Sequence, residues 1–386
     1  DPDYDYIVVH VRDASRAVGV STKLLNIEMK KTLSKEIESE YETLRKRHKG
    51  KQSKTNWLML DDARKNRKPI DWPNYNSVIP HKLGINILND YPLDELEEYF
   101  DWTPFFLAWE LAGRFPKILN DEVIGKEATR LYKDAKAMLS KIINEKWFTA
   151  KGVYGLFPAN SIHYDDIEIY EDEKRNGLLT TIHTLRQQIQ KPPGQYNFAL
   201  ADFIAPKESK KNDYIGAFAV AAGFGIEERI KQFENDHDDY SAIMLKALAD
   251  RFAEAFAERL HERIRTEFWG YTPDESFDNE HLIKESYKGI RPAPGYPSCP
   301  DHTEKDLLWK LLRVEENTGI VLTESYAMYP TASVSGWYFS HPDSRYFGLG
   351  KINRDQVNDY AQRKNSDLKI IEKWLSPSLG YNPEDY

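Results

Sequence analysis

A single cysteine, Cys299, stands among the 386 residues, so no intrachain disulfide can form and no cysteine-rich zinc module can be built. That scarcity fits a reducing compartment, and a cytoplasmic location is the expectation. Long apolar runs are missing as well. The longest, Ile215 to Ile226, is interrupted by glycines and is far shorter than the ~20 residues a membrane helix needs, so no bilayer span is expected. Positive charge is outnumbered, 53 Lys and Arg against 62 Asp and Glu, and the formal net charge of −9 disfavours general attraction to nucleic acid or anionic membrane. The ten histidines form no H-E-x-x-H pair and no G-x-S-x-G elbow occurs, which removes the common hydrolase templates. Neither an internal repeat nor a low-complexity tract is present. The sequence starts at Asp1-Pro2-Asp3 without an initiator Met or a signal segment, and an excised piece of a longer chain is the expectation.

What is present is the mixture of an ordered protein: 40% hydrophobic, 13% aromatic and 30% charged residues, enough to build a sizeable core. Tyr6 to Val11 reads as a short buried strand, and Ala14 to about Met29 carries helical spacing. Lys30 to Lys54 is highly charged and ends in a basic run, as an exposed helix entering a loop would. Thr55 to Asn89 is loop-like, punctuated by Pro69, Pro73 and Pro80, and the main body is expected from about residue 81. Three segments, Val153–Phe157, Ile167–Tyr170 and Tyr214–Val220, have strand lengths bounded by turn residues. Tyr240 to Phe268 shows a stripe of Leu245, Leu248, Phe252, Phe256, Leu260 and Ile264, which predicts a helix packed on a core, with Asp250, Glu254, Ala257 and His261 on its polar face. Strands and helices without regular alternation predict an α+β fold.

Three motifs compete for a chemical role. Gly223-Phe224-Gly225 follows an apolar strand, but Glu228 stands where a dinucleotide fingerprint needs its third glycine, so a plain strand-to-helix turn is expected. Asp236-His237-Asp238-Asp239 matches no calcium spacing and reads as an N-cap before the long helix; no metal site is expected. Gly289 to Lys305 is different. Its four prolines stiffen the backbone and Gly295 lets it turn or approach a ligand, while Arg291 offers a planar fork for a carboxylate and Tyr296 an aromatic face for a base or a cation. A loop merely packed over the core is the plainer alternative.

That segment, Gly289-Ile290-Arg291-Pro292-Ala293-Pro294-Gly295-Tyr296-Pro297-Ser298-Cys299-Pro300-Asp301-His302-Thr303-Glu304-Lys305, resembles the signature of the C-terminal activation domain of cobalamin-dependent methionine synthase. So do Asp101-Trp102-Thr103-Pro104-Phe105-Phe106, Asp165-Asp166-Ile167, Leu185-Arg186-Gln187-Gln188, the Lys246 to Arg263 helix and Ala332 to Ser340, in family order from about residue 81 to the C-terminus. Asp13-Ala14-Ser15-Arg16, with its strand and helix, is similar to the last β-α unit of the cobalamin-binding domain that precedes it. The resemblance implies one large α+β domain with a mainly antiparallel twisted sheet flanked by helices over residues 81–386, a charged connector over 31–80, and the end of a cobalamin-binding domain over 1–30.

It implies further that the domain binds S-adenosylmethionine and presents its methyl group for reductive methylation of inactive cob(II)alamin to methylcobalamin, with an electron from flavodoxin or an equivalent flavoprotein. The ligand contacts carry onto Asp101, Glu254, Arg291, Ala293, Gly295, Tyr296, Tyr346 and Phe347, with Arg291 on the ligand carboxylate and the acids on the ammonium or the ribose; no catalytic side chain is implied. The D-x-H-x-x-G motif that ligates cobalt is absent, so cobalamin belongs to a domain outside this sequence, and methionine synthesis by this piece alone is not expected. Basic runs at Arg45, Lys46, Arg47, Lys49 and Lys51 and at Lys207, Lys210 and Lys211 are candidates for docking the flavoprotein. Two other readings stay open: a free-standing S-adenosylmethionine-dependent small-molecule methyltransferase, and a docking module that binds proteins only.

Overall fold

The computed structural model describes Val9, Val20, Ser21, residues 23–49 and residues 56–385. The chain divides into two compact units, Asp1–Asn56 and Trp57–Tyr386. In the first, the charged stretch forms helix α1 (Ile27–Lys49). The strand expected over Tyr6–Val11 and the start of the helix expected from Ala14 lie outside the described residues, Val9 excepted.

The second unit begins earlier than the sequence suggests. Trp57 bridges to Ile189, the Leu58 N–H donates to the Gln188 carbonyl at 3.0 Å, and helix α2 (Leu60–Lys65) buries Leu60 and Ala63. Arg64 of that helix binds Asp165 at 2.6 Å and Asp359 at 2.9 Å. Further along, the Ser77 hydroxyl donates to Asp213 at 2.6 Å and the Trp269 indole to the Val78 carbonyl at 2.8 Å. Residues 57–80, read from composition as the end of a connector, are therefore part of this unit. Prolines and charges imitate a linker, and several side chains and backbone groups here bond to partners 100 to 300 residues away, which no local pattern encodes.

The sheet is antiparallel throughout. Its strands are β1 (Gly84–Leu88), β2 (Thr149–Ile162), β3 (Asp166–Tyr170), β4 (Leu178–His183), β5 (Asp213–Phe224) and β8 (Ser333–Tyr338), in the order β4-β3-β2-β5-β8 with β1 also on β2; β6 (Val321–Leu322) and β7 (Met328–Tyr329) form a separate ribbon. The 14-residue β2 is long enough to hold β1 along 152–156 and β3 along 159–162 on one edge, with β5 along 149–159 of the other. Successive side chains of a strand point to opposite faces, and both faces of β5 are covered. Phe218 and Val220 join one core with the long helix, whereas Ala217, Ala219 and Ala221 join the other. That is why β5 reads as one continuous apolar run rather than an alternation.

The helices around it follow from their patterns. α3 (Trp102–Ala108) starts at Asp101, whose carboxylate accepts from the Thr103 N–H at 2.9 Å. α4 (Gly125–Glu145) buries Ala128, Leu131, Ala135, Leu139 and Ile142, a three-to-four spacing. α5 (Asp239–Arg263) is capped by Asp238 on the Ser241 N–H, as the acidic run suggests, and lays Leu245, Leu248, Phe252, Phe256 and Leu260 on the first core. Its end runs on into a π-helical turn, Ile264–Phe268. α6 (Glu304–Leu312) covers the opposite face with Leu308 and Leu312, and α7 (Arg354–Arg363) centres a smaller core with Val357 and Tyr360. Gly223 and Gly225, at φ +96° and +89°, make the turn between β5 and the helix Ile226–Asn235, the plain role expected of them. Among the described residues no helix is long and apolar enough to cross a membrane.

Candidate ligand-binding cavity

β8 is the last strand of the sheet on its side, and the proline-rich loop lies along its free edge. Ile290 and Phe339 exchange both backbone hydrogen bonds at 3.0 Å, and the Trp337 N–H donates to the Pro292 carbonyl at 2.9 Å. Gly336 makes that approach possible, because a Cβ there would sit 2.8 Å from the Pro292 oxygen. The chain then turns sharply. The Gly295 N–H donates to the Cys299 carbonyl at 2.7 Å and the Cys299 N–H to the Tyr296 carbonyl at 2.9 Å. Gly295 has φ +96°, and a Cβ on it would lie 2.3 Å from the His302 ring. Only glycine fits this turn on both counts.

Between the loop, the edge of β8 and the C-terminal half of α5 lies a cavity of about 500 Å³. Six of the eight residues expected from the resemblance line it: Glu254 from α5, Arg291, Ala293 and Tyr296 from the loop, and Tyr346 and Phe347 from the segment after β8. Gly295 shapes the turn between Ala293 and Tyr296 without lining the wall. Asp101 is not among the lining residues; its carboxylate caps its own helix. Reading from sequence missed Glu285, Phe218, Ser298 and Ser335, which also line the cavity.

Arg291 is not the free fork that its place in an open loop suggests. Its guanidinium pairs with Glu258 at 2.7 Å and lies 3.3 Å from His261 Nδ1 and 3.4 Å from the Tyr287 hydroxyl, while its backbone N–H donates to the Tyr346 hydroxyl at 3.0 Å. Behind Glu258, at 4.0 Å, stands Arg265, itself paired with Glu275 at 2.6 Å and stacked on the Tyr287 ring. A chain of alternating charge, Glu275, Arg265, Glu258, Arg291, thus runs from the interior to the cavity wall. Burial alone would pull the Arg291 guanidinium down, but Glu258 and Tyr287 overcome it and hold its pKa well above the ordinary arginine value. Burial, helped by Arg265 and Arg291, keeps His261 well below the usual histidine range, so the ring is neutral and its Nδ1 accepts from Arg291. The polar face expected on α5 is therefore solvated only in part. Asp250 and Glu254 are exposed, whereas Ala257 and His261 are buried, the ring stacked on Tyr338.

The wall carries two carboxylates, Glu254 and Glu285, against one guanidinium already shared with Glu258. Burial raises the Glu285 carboxyl, with Arg291 opposing, and burial together with Glu254 raises the Tyr296 phenol. Tyr296 is 60% exposed and presents its ring at the mouth. Such a wall suits a ligand with a cationic centre and a separate anionic group. A larger cavity, about 810 Å³, lies between residues 67–73 and 161–164, but its charged groups are largely engaged elsewhere: Asp202 with Arg186 at 2.8 Å and Lys68 with Asp343 at 2.8 Å.

An antiparallel α+β domain with a charged cavity at its sheet edge is the class that fold and geometry define. Residues 92–365 match the family described as the activation domain of vitamin B12 dependent methionine synthase, and the chain belongs to that family. It is also similar to the crystal structure of the MetH reactivation domain bound to AdoHcy, at 55% identity and a TM-score of 0.82 over 85% of this chain and 100% of that one. The fold expected from the resemblance, a large α+β domain with an antiparallel sheet flanked by helices, is borne out.

Proposed function

We propose that the cavity beside β8 binds S-adenosylmethionine and, after methyl transfer, S-adenosylhomocysteine, as part of the reactivation of methionine synthase. The observation that carries this is the convergence of Glu254, Arg291, Ala293, Tyr296, Tyr346 and Phe347, from three separate parts of the chain, on one cavity. AdoHcy in the similar MetH domain supports the same ligand class. Glu254 and Glu285, which line the cavity, offset the positive charge of the sulfonium and the ammonium, Arg291 receives the carboxylate beside Glu258, and Tyr296 and Tyr346 offer aromatic faces to the sulfonium. Cobalamin, held by another domain, supplies the methyl acceptor. The residues here bind and orient, and proximity rather than proton transfer is their contribution. Calorimetry of the chain with each of the two ligands tests this; binding to the cavity is expected, and a protein that takes up neither sinks it.

Residues 1–30 are in this reading the end of the cobalamin-binding domain, and the chain works in the cytoplasm. A flavodoxin-like donor docks on basic side chains. Lys207 is exposed but shared with Glu168 at 2.7 Å, and Lys211 reaches Asn76 at 3.5 Å. Arg45, Lys46, Arg47 and Lys49 close α1, and Lys51 lies outside the described residues. Association that weakens as salt rises is expected, because screening acts over ~10 Å at 0.1 M; salt-independent association would remove the electrostatic argument. A free-standing methyltransferase would instead methylate an added small acceptor without cobalamin.

A further inference from the structure

Ser335 lines the cavity from β8. β8 bonds to β5 through its even-numbered residues. The Ala222 N–H donates to the Ala332 carbonyl at 2.9 Å, and the same register sets Val220 opposite Val334, Phe218 opposite Gly336 and Gly216 opposite Tyr338. In an antiparallel ladder the residues between them turn N–H and C=O the other way, here toward the free edge. Two of these are covered by the loop, Phe339 by Ile290 and Trp337 by the Pro292 carbonyl. At the next position outward the loop has left for the Gly295 turn. The Ser335 N–H and C=O have no partner there among the described residues, and its Oγ has none either, although the residue is only 3% exposed. Three unpaired hydrogen-bonding groups on one buried residue is a rare condition, since more than about 90% of buried backbone groups are paired.

We propose that Ser335 contacts the ligand: its outward N–H and C=O, with Oγ beside them, pair with an adjacent donor and acceptor on an S-adenosylmethionine-type molecule, as an added strand pairs with a sheet edge. This rests on the reading of the cavity given above. Two parts of such a ligand carry a donor next to an acceptor, the amino-acid end and the amino edge of the purine, and the geometry asks the same chemistry of either. The loop and strand already meet at Pro292 and Trp337, so the ligand would continue the pairing one step along the same edge.

The test combines calorimetry with S-adenosylhomocysteine on the wild-type chain and on Ser335→Ala, and hydrogen exchange at the Ser335 amide of the wild type with and without that ligand. The alanine variant is expected to bind about three- to tenfold more weakly, the range for one lost neutral hydrogen bond. Exchange at the Ser335 amide is expected to slow at least tenfold on binding, a readout that needs no variant. Repeating both with 5′-methylthioadenosine, which lacks the amino-acid end, separates the two sources: effects that persist assign the purine, and effects that vanish assign the amino acid. Wild-type binding with an unchanged alanine variant and an unprotected Ser335 amide overturns this proposal alone. Wild-type protein that binds no S-adenosylhomocysteine overturns the parent reading with it.

Discussion

Replacing Arg291 by alanine is expected to do two things at once, and the structure allows them to be weighed separately. The Arg291 side chain is 18% exposed and that of its partner Glu258 11%, so the variant leaves a mostly buried carboxylate whose remaining cation, Arg265, stands 4.0 Å away. Removing one member of a buried pair costs about 3–5 kcal/mol, because the remaining charge keeps its desolvation penalty. With an unfolding entropy near 2.1 cal/mol/K per residue over roughly 330 residues, that is a fall in Tm of about 4–7 °C. Ligand binding loses a charge-assisted hydrogen bond besides, about 1.5–3 kcal/mol, or roughly ten- to 150-fold in Kd. Arg291→Lys keeps the charge on Glu258 without the planar fork and is expected to melt closer to the wild type while still binding about tenfold more weakly. The double variant Glu258→Gln/Arg291→Gln removes both charges and is expected to melt above Arg291→Ala, despite carrying the additional change. Thermal unfolding without ligand and calorimetry with S-adenosylmethionine give both axes. An alanine variant that melts within a degree of the wild type refutes the buried-pair argument, and one that melts early yet binds normally makes Arg291 a purely structural residue.

Gly295→Ala is expected to abolish measurable binding of S-adenosylhomocysteine, since the left-handed backbone alone costs a side chain about 1–2 kcal/mol and the Cβ meets His302 at 2.3 Å; an alanine variant with wild-type affinity would show that the turn is not needed. Burial, with Lys68 adding and Asp343 opposing, lowers His341 to about 4. A histidine whose folded value lies below its unfolded one takes up protons on unfolding, so its stabilisation is complete above about 6.5 and is lost as pH falls toward 4. Stability measured from pH 7 down to 4.5 is therefore expected to fall more steeply for the wild type than for His341→Gln, and parallel profiles would contradict it. Mixed with methylcobalamin and gel-filtered, the chain is expected to stay colourless, because residues 1–30, which the proposal reads as the end of a cobalamin-binding domain, are too few to build a corrin site; stoichiometric co-elution would refute this.

Much of the fold was legible from local pattern. The stripe from Leu245 to Ile264 marked α5, the acidic run before it marked the cap at Asp238, and the apolar run at 214–220 marked a strand, which the structure shows to be buried on both faces. Residues 57–80 were not legible. Arg64, Ser77 and Val78 find their partners at Asp165, Asp359, Asp213 and Trp269, and no window of the sequence contains both ends of such bonds. Two stretches that carried the family resemblance prove structural in kind. Arg186 is buried between Asp165 and Asp202 at 2.8 Å each, and Gln188 binds Asp355 at 2.5 Å, which ties the start of α7 to the strand region.

The cavity divides in the same way. Residue type and backbone freedom are local properties, so the proline-stiffened loop, its glycine turn and the presence of an arginine and a tyrosine on it were determined by the sequence itself. Where a guanidinium points and what neutralises it depend on groups brought in from elsewhere. Glu258 stood in view one helical turn from Glu254, at the i+4 spacing that places both on one face, yet only the packing of α5 against the loop set it on Arg291. Ser335 shows the limit most plainly. Its unpaired edge is a property of strand order and of where the loop departs, since a serine in an interior strand would have every backbone group taken, and only the tertiary structure decides which strand is last.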